Sequence, residues 1–161
     1  MNTQTVIQGV TLPPAPKRTT EMVKTAVMAY IERHSLNSWG DVAQAAGDIA
    51  RSWHPGMDGY ELAKALESAC YWDGLSLQDA EDLDSIGSVV REAEEKARKA
   101  WALEWDIQPP FPVGTALTRG VIAYIDKHSV AIYGVKEHGC TQGGRYLLVR
   151  FEDAEVQENA A

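Results

Sequence analysis

The sequence predicts an α+β protein: an N-terminal helical bundle of four to five helices, followed by a small antiparallel SH3-like β-barrel or curled sheet. Apolar residues recur at helical spacing up to about residue 108, whereas β-branched residues and glycine-rich turns dominate afterwards. The proline-rich seam Gln108–Pro112 separates the two patterns. With 161 residues, 45% of them apolar, the chain is long enough to bury one or two cores.

Composition divides the chain into four segments. Residues 1–18 are expected to form a flexible arm, because Pro13, Pro14 and Pro16 exclude helix and favour an extended chain. Residues 19–108 form the helical bundle, residues 109–156 the small β-barrel or sheet, and residues 157–161 an acidic tail.

Capping residues place the helix starts. A first helix begins at Thr19 or Thr20 and ends near His34. Three more are opened by a short polar side chain with a carboxylate three positions later: Ser38–Asp41, Asp58–Glu61 and Ser76–Asp79. A break is expected at residues 84–87, before a long solvated helix that runs to about Trp105.

The segment after the seam predicts several short strands. Residues 121–125 and 130–135 are separated by a short turn and should form an antiparallel hairpin, with a third strand at residues 146–151. Residues 113–118 and 154–156 are candidates for edge strands. This order of strands and turns resembles a small SH3-like barrel, on turn spacing alone.

The charge is distributed unevenly. The whole chain has a net charge of -8, but residues 109–151 carry five Lys/Arg and two Asp/Glu, a net charge of +3. An acidic chain repels nucleic acid at long range, although a local basic region can still contact it.

A run of carboxylates in the helical half is the first candidate site. Such a face can imitate a row of phosphates and occupy a basic nucleic-acid-binding surface on a partner protein. The same acids also suit solvated helix starts, where they interact favourably with the helix dipole. The candidate partner-binding residues are Asp73, Asp79, Glu81, Asp82 and Asp84.

The β half supplies the second candidate site. Basic residues with interleaved aromatics can bind a single nucleic-acid strand by charge and stacking. Small barrels also bury tyrosines, so a structural role for the rings stays open. The candidate nucleic-acid contacts are Arg119, Lys127, Lys136, Arg145, Arg150 and Tyr133.

No catalytic, metal-binding or cofactor motif is evident, so no catalytic residue, metal or cofactor is predicted. Cys70 is interpreted as a core residue and Cys140 as a loop thiol, because the two cysteines lie in different halves and form no close pair. No apolar run approaches the roughly 20 residues needed to span a bilayer. A cytoplasmic monomer or dimer without membrane contact is therefore expected.

The favoured hypothesis is a non-catalytic adaptor or inhibitor that binds another protein, in its sharper form through the acidic helical face. This profile is typical of small phage or mobile-element proteins. One alternative is a nucleic-acid-binding regulator that uses the basic β half. The other is a small enzyme with a site at the junction of the helical and β halves.

Overall fold

The computed structural model describes residues 5–7, 10–139 and 145–157, so Cys140 and residues 158–161 of the predicted acidic tail lie outside it. The described chain forms two compact units. The helical unit is Lys17–Lys96, and the sheet unit combines the residues before Lys17 with those from Ala97 onward. The domain boundary at residue 108 stays a prediction.

The described residues contain five α-helices, in agreement with the four to five predicted. They are α1 Thr20–His34, α2 Val42–Ser52, α3 Gly59–Cys70, α4 Leu77–Asp84 and α5 Ile86–Glu104. The division between the two units falls within α5, which places its last residues in the sheet unit.

Side-chain caps begin four of these helices. Thr19 accepts a hydrogen bond from the Met22 N–H, and Asp58 and Ser76 each form a complete capping box. Such a cap satisfies N–H groups that the first helical turn leaves unpaired. The second helix is capped by Asp41 rather than Ser38, because Asn37–Trp39 forms a separate 3-10 turn.

The core of the helical unit brings α3 and α4 into backbone contact. Leu62 and Leu66 of α3 and Leu83 of α4 are buried in it. A Cβ atom at Gly59 would lie 1.9 Å from the Ala80 carbonyl oxygen, so this position has no room for a side chain. Glycine here permits the close approach of the two helices.

The described residues of the sheet unit form two antiparallel sheets. The first pairs β1 Thr5–Ile7 with β2 Val10–Leu12, and the second has the order β3 Ala116–Leu117, β4 Gly120–Ile125, β5 Ile132–Glu137, β6 Leu147–Arg150. The β4–β5 hairpin and β6 fall where strands are predicted. The β1–β2 pairing was not predicted, because the prolines that follow it dominate the composition of residues 1–18.

The α+β class is therefore confirmed, but the SH3-like barrel is not, because the four-stranded sheet is open. After β6, a 3-10 turn at Phe151–Asp153 leads to Val156, which forms an isolated antiparallel bridge with Leu117 of β3. The Thr118 N–H donates to the Glu155 carbonyl beside this bridge, at 2.9 Å. The chain thus returns from one edge strand of the sheet to the other.

The core of the sheet unit lies on one face of the β4–β5–β6 sheet. Ile122, Tyr133 and Val149 are buried there with Phe111 and Phe151 of the flanking segments. Leu12 joins the same core. Among the described residues, no helix is both long enough and apolar enough to cross a membrane.

Candidate binding surface

The other face of the β4–β5–β6 sheet carries exposed aromatic, aliphatic and basic side chains. Gly134 of β5 lies opposite Tyr124 on one side and Leu148 on the other. Lys136 lies opposite Val121, two residues further along β5. Because alternate residues of a strand share a face, these side chains lie on one surface. We call this surface the tyrosine face: Val121, Tyr124, Lys136, Tyr146, Leu148 and Arg150.

Tyr124 lies over Gly134, which leaves room for the ring against the sheet. A Cβ atom at Gly134 would lie 2.1 Å from Cζ of Tyr124, so the ring occupies the space that any other residue would fill. Tyr146 meets Tyr124 edge to face, with ring centroids 5.3 Å apart and an interplanar angle of 76°. The two rings remain 38% and 45% exposed, so the face presents fixed aromatic surface to solvent.

The outer edge of β6 presents backbone hydrogen-bonding groups. The Phe151 N–H donates to the Ala131 carbonyl at 3.0 Å, which marks this pair as a hydrogen-bonded one. Alternation along the ladder makes the next hydrogen-bonded pair Tyr133 with Val149. The N–H and C=O groups of Leu148 and the N–H of Arg150 therefore point away from β5, whereas the Arg150 C=O begins the 3-10 turn at Phe151–Asp153. In the described part of the chain, β5 is the strand that pairs with β6.

The five predicted basic contacts do not form one patch on the strands. Lys136 and Arg150 belong to the tyrosine face, and Arg145 directly precedes Tyr146. Arg119 and Lys127 are exposed in the turns at opposite ends of β4. The face residues thus combine two cations with no carboxylate.

Tyr133, the sixth predicted contact, is a core residue. Its side chain is 0% exposed, and its hydroxyl both accepts from the Phe111 N–H at 2.8 Å and donates to the Phe111 carbonyl at 2.9 Å. Burial raises the pKa of this hydroxyl. Strand alternation turns Tyr133 to the opposite side from Gly134, so Tyr124 and Tyr146 are the exposed rings.

The carboxylate of Asp79, the second residue of the predicted acidic face, is used within the helical unit. It accepts from the Ser76 N–H at 2.8 Å and from Nε1 of Trp39 at 2.8 Å. Burial acts to raise the pKa of this carboxyl, but the hydrogen bonds from Ser76 and Trp39 outweigh it and hold the pKa below its ordinary value. Asp79 therefore stabilises the start of α4.

The other four predicted acids differ in their surroundings. Asp84 accepts from the Gly59 N–H at 3.0 Å, at the close approach of α3 and α4. Asp82 accepts a long hydrogen bond, 3.4 Å, from the neighbouring Gln78 amide. Asp73 and Glu81 are exposed. The predicted face thus divides into carboxylates that hold the fold and carboxylates that contact solvent.

Asp48 is a buried carboxylate that the sequence pattern does not indicate as a candidate site residue. It is 4% exposed, accepts from Nε1 of Trp72 at 3.1 Å and pairs with Arg51. The ring centroids of Trp72 and Trp39 lie 6.0 Å apart. The sequence shows an aspartate within the apolar stripe of α2. Helical periodicity alone gives no reason to expect that it bonds to a tryptophan 24 residues away.

A partly buried ion pair connects α5 to the rest of the sheet unit. Nη2 of Arg98 lies 2.7 Å from Oε2 of Glu152, and the same guanidinium donates to the Val130 and Ala131 carbonyls. Burial acts to raise the pKa of Glu152, but the hydrogen bonds from Arg98 outweigh it and lower the pKa. The pair fixes the turn between β4 and β5 beside the last turn of α5.

Comparison with known proteins adds no functional information: no protein-family model, curated protein sequence or solved structure matches the chain significantly. Among the described residues, no group of three or more His, Cys, Asp or Glu side chains is arranged to hold a metal ion. The tyrosine face is therefore the most developed candidate site, judged by its geometry.

Proposed function

We propose that this chain is a non-catalytic adaptor or inhibitor that binds a protein partner through the tyrosine face. The observation that carries the proposal is the exposed Tyr124–Tyr146 pair, in which Tyr124 lies over Gly134, together with Lys136 and Arg150 on the same face. Tyrosine and arginine are enriched at the energetic centres of protein interfaces. A ring that is already held in place loses little conformational entropy when a partner covers it.

The partner surface should be apolar with an acidic component. Leu148 is 61% exposed and Val121 39% exposed, so the face offers aliphatic area beside the two rings. Its charged residues, Lys136 and Arg150, are both cations. Charge complementarity favours a partner with carboxylates at matching positions.

Nucleic-acid binding is the second candidate, favoured because exposed tyrosines and cations share one face. Bases can stack on such rings and phosphates can pair with such cations. Two considerations rank it below a protein partner. The chain carries a net charge of -8, and Arg119 and Lys127 lie in turns at opposite ends of β4, so these two cations do not cluster with each other.

The other hypotheses from the sequence have less support. The acidic helical face stays a prediction, with Asp73, Glu81 and Asp84 as its exposed members. A site at the helical/β junction, the phage-type origin, the cytoplasmic location and the oligomeric state also stay predictions. The Leu117–Val156 bridge supports an SH3-like closure of the sheet, a shape compatible with a binding module.

Affinity capture from the native host, with nuclease added, tests the proposal on matched variants of the full chain. Leu148→Glu changes an exposed leucine of the face, and Leu103→Glu changes an exposed leucine of α5. Tyr146→Ser and Tyr60→Ser form a second matched pair on exposed tyrosines. The protein captured by the wild-type chain is then purified and titrated against each variant.

We expect the face variants to weaken that protein's affinity at least tenfold, while the two control variants bind like the wild type. Equal affinity across all four variants would exclude the tyrosine face as the binding surface. Capture of nucleic acid alone, when nuclease is omitted, would favour the second candidate instead.

A further inference from the structure

We propose that the partner supplies an extended, acidic segment that adds as a strand to the outer edge of β6. This inference rests on the proposed function and specifies its mode of binding. Strand addition uses backbone hydrogen bonds for affinity and alternate side chains for specificity. The edge of β6, rather than the face alone, would then determine which sequences bind.

The backbone of β6 has the geometry that strand addition requires. Leu148 turns its N–H and C=O groups away from β5, and Arg150 turns its N–H away, as the Phe151-to-Ala131 hydrogen bond and the β5–β6 register require. The Arg150 carbonyl begins the 3-10 turn at Phe151–Asp153. Outward groups at alternate residues are the template that an incoming strand pairs with. The side chains of the same two residues lie on the tyrosine face, so backbone and side-chain contacts would form together.

Charge selects the chemistry of the incoming strand. Residues 145–150 contain Arg145 and Arg150 and no acidic residue. A carboxylate placed across from Arg150 would form a cross-strand pair of opposite charge, which stabilises adjacent strands. Aliphatic residues of the incoming strand that share this face would lie beside Leu148 and Tyr146.

Two other occupants fit the edge less well. A second copy of the chain, paired through its own β6, would bring two further arginines to this short edge and no carboxylate from residues 145–150. A nucleic acid can stack on Tyr124 and Tyr146, but it has no amide groups at strand spacing to pair with Leu148 and Arg150. An acidic polypeptide satisfies both the charge and the backbone.

Proline substitution at Arg150 isolates the backbone contribution. The φ angle of Arg150 is -68°, close to the value that proline imposes, and its N–H points away from the β5 ladder. Arg150→Pro therefore removes one outward donor while leaving the β5–β6 hydrogen bonds in place. Arg150→Ala is its matched control, because it removes the same charge and keeps the N–H.

The experiment uses the full chain and two short capped peptides with threonine at every second position. The positions between them are alternately valine and glutamate in one peptide, and valine and lysine in the other, so that the charged and aliphatic side chains share one face. We expect the glutamate peptide to bind at least tenfold more tightly than the lysine peptide at low salt. The amide NMR signals of Leu148 and Arg150 should shift and gain protection from exchange. Arg150→Pro should bind the glutamate peptide several-fold more weakly than Arg150→Ala.

A second variant pair, Leu148→Pro and Leu148→Ala, repeats the comparison if the circular-dichroism spectrum of Arg150→Pro shows that this variant does not fold. Equal binding by the proline and alanine variants, or equal binding of the two peptides, would overturn strand addition. If the captured partner still depends on Leu148 and Tyr146 in that case, the proposed function stands and only its mode is wrong. The proposed function and strand addition would both be overturned if single-stranded oligodeoxythymidylate binds tightly and with equal affinity to Arg150→Pro and Arg150→Ala.

Discussion

The carboxylates of the helical unit and the residues of the tyrosine face are used in different ways. In the helical unit, carboxylates are directed at the unit's own donors: Asp79 at Ser76 and Trp39, and Asp48 at Trp72. In the sheet unit, the cations and tyrosines of the β4–β6 face are left exposed to solvent. The helical unit carries more charged residues than the sheet unit, yet the sheet unit presents the better developed binding surface.

The difference shows that a count of charges does not measure the charge available to a partner. A carboxylate that accepts two or three hydrogen bonds from its own chain would have to give them up to bind elsewhere, at a cost comparable to those bonds. Lys136 and Arg150 have no such cost in the described structure.

The largest effect is expected at the Arg98–Glu152 pair of the sheet unit. Glu152→Ala leaves the Arg98 guanidinium, whose side chain is 11% exposed, without its carboxylate, so we expect a loss of about 3 kcal/mol in the free energy of unfolding. Urea unfolding followed by circular dichroism measures this loss. Glu67→Ala breaks the exposed Lys64–Glu67 pair and should leave the free energy of unfolding close to that of the wild type, because solvent screens such pairs.

A smaller effect is expected at the start of α4. Asp79→Ala removes the acceptor for the Ser76 N–H and for the Trp39 indole, and should lower the free energy of unfolding by about 1–2 kcal/mol. Glu81→Ala, on the exposed side of the same helix, should leave it within about 0.5 kcal/mol of the wild type. Similar losses from both variants in urea unfolding would contradict the division of the acids into two kinds.

The smallest effect is a change of stability with pH. The pKa values of Asp79 and Glu152 lie below their ordinary values in the folded chain, so the unfolded chain binds more protons near pH 4. Their contribution is fully present above the unfolded pKa values and is lost as the pH falls through the folded ones. Urea midpoints measured from pH 7 down to pH 3 should fall, and less steeply in Glu152→Gln. An unchanged slope in this variant would mean that the ion pair does not titrate with unfolding.

Local chemistry made much of the fold predictable. The caps at Asp58 and Ser76, the break after Asp84 and the β4–β5 hairpin follow from residue types and spacing within a few positions. Whether the sheet closes into a barrel does not follow from the spacing of strands and turns, because it depends on how far each strand twists and bends.

The candidate site was less predictable than the fold. Lys136 and Arg150 were identified by composition, but Tyr133 and Tyr124 differ in burial because a bulge between Ile122 and Tyr124 resets which residues of β4 face outward. Sequence alternation cannot locate such a bulge. The internal use of Asp79 and Asp48 depends on tryptophans that are distant in sequence, so only the folded chain reveals it.

The most direct test compares the two surfaces in one binding measurement with the purified partner. One variant is Leu148→Glu on the tyrosine face. The other neutralises the three acids of the predicted face whose internal hydrogen bonds are absent or longest in the described structure, as Asp73→Asn, Glu81→Gln and Asp82→Asn together. We predict that Leu148→Glu weakens affinity at least tenfold, whereas the triple variant binds within about twofold of the wild type. Loss of binding in the triple variant, with Leu148→Glu unchanged, would contradict the account and return the binding site to the acidic helical face.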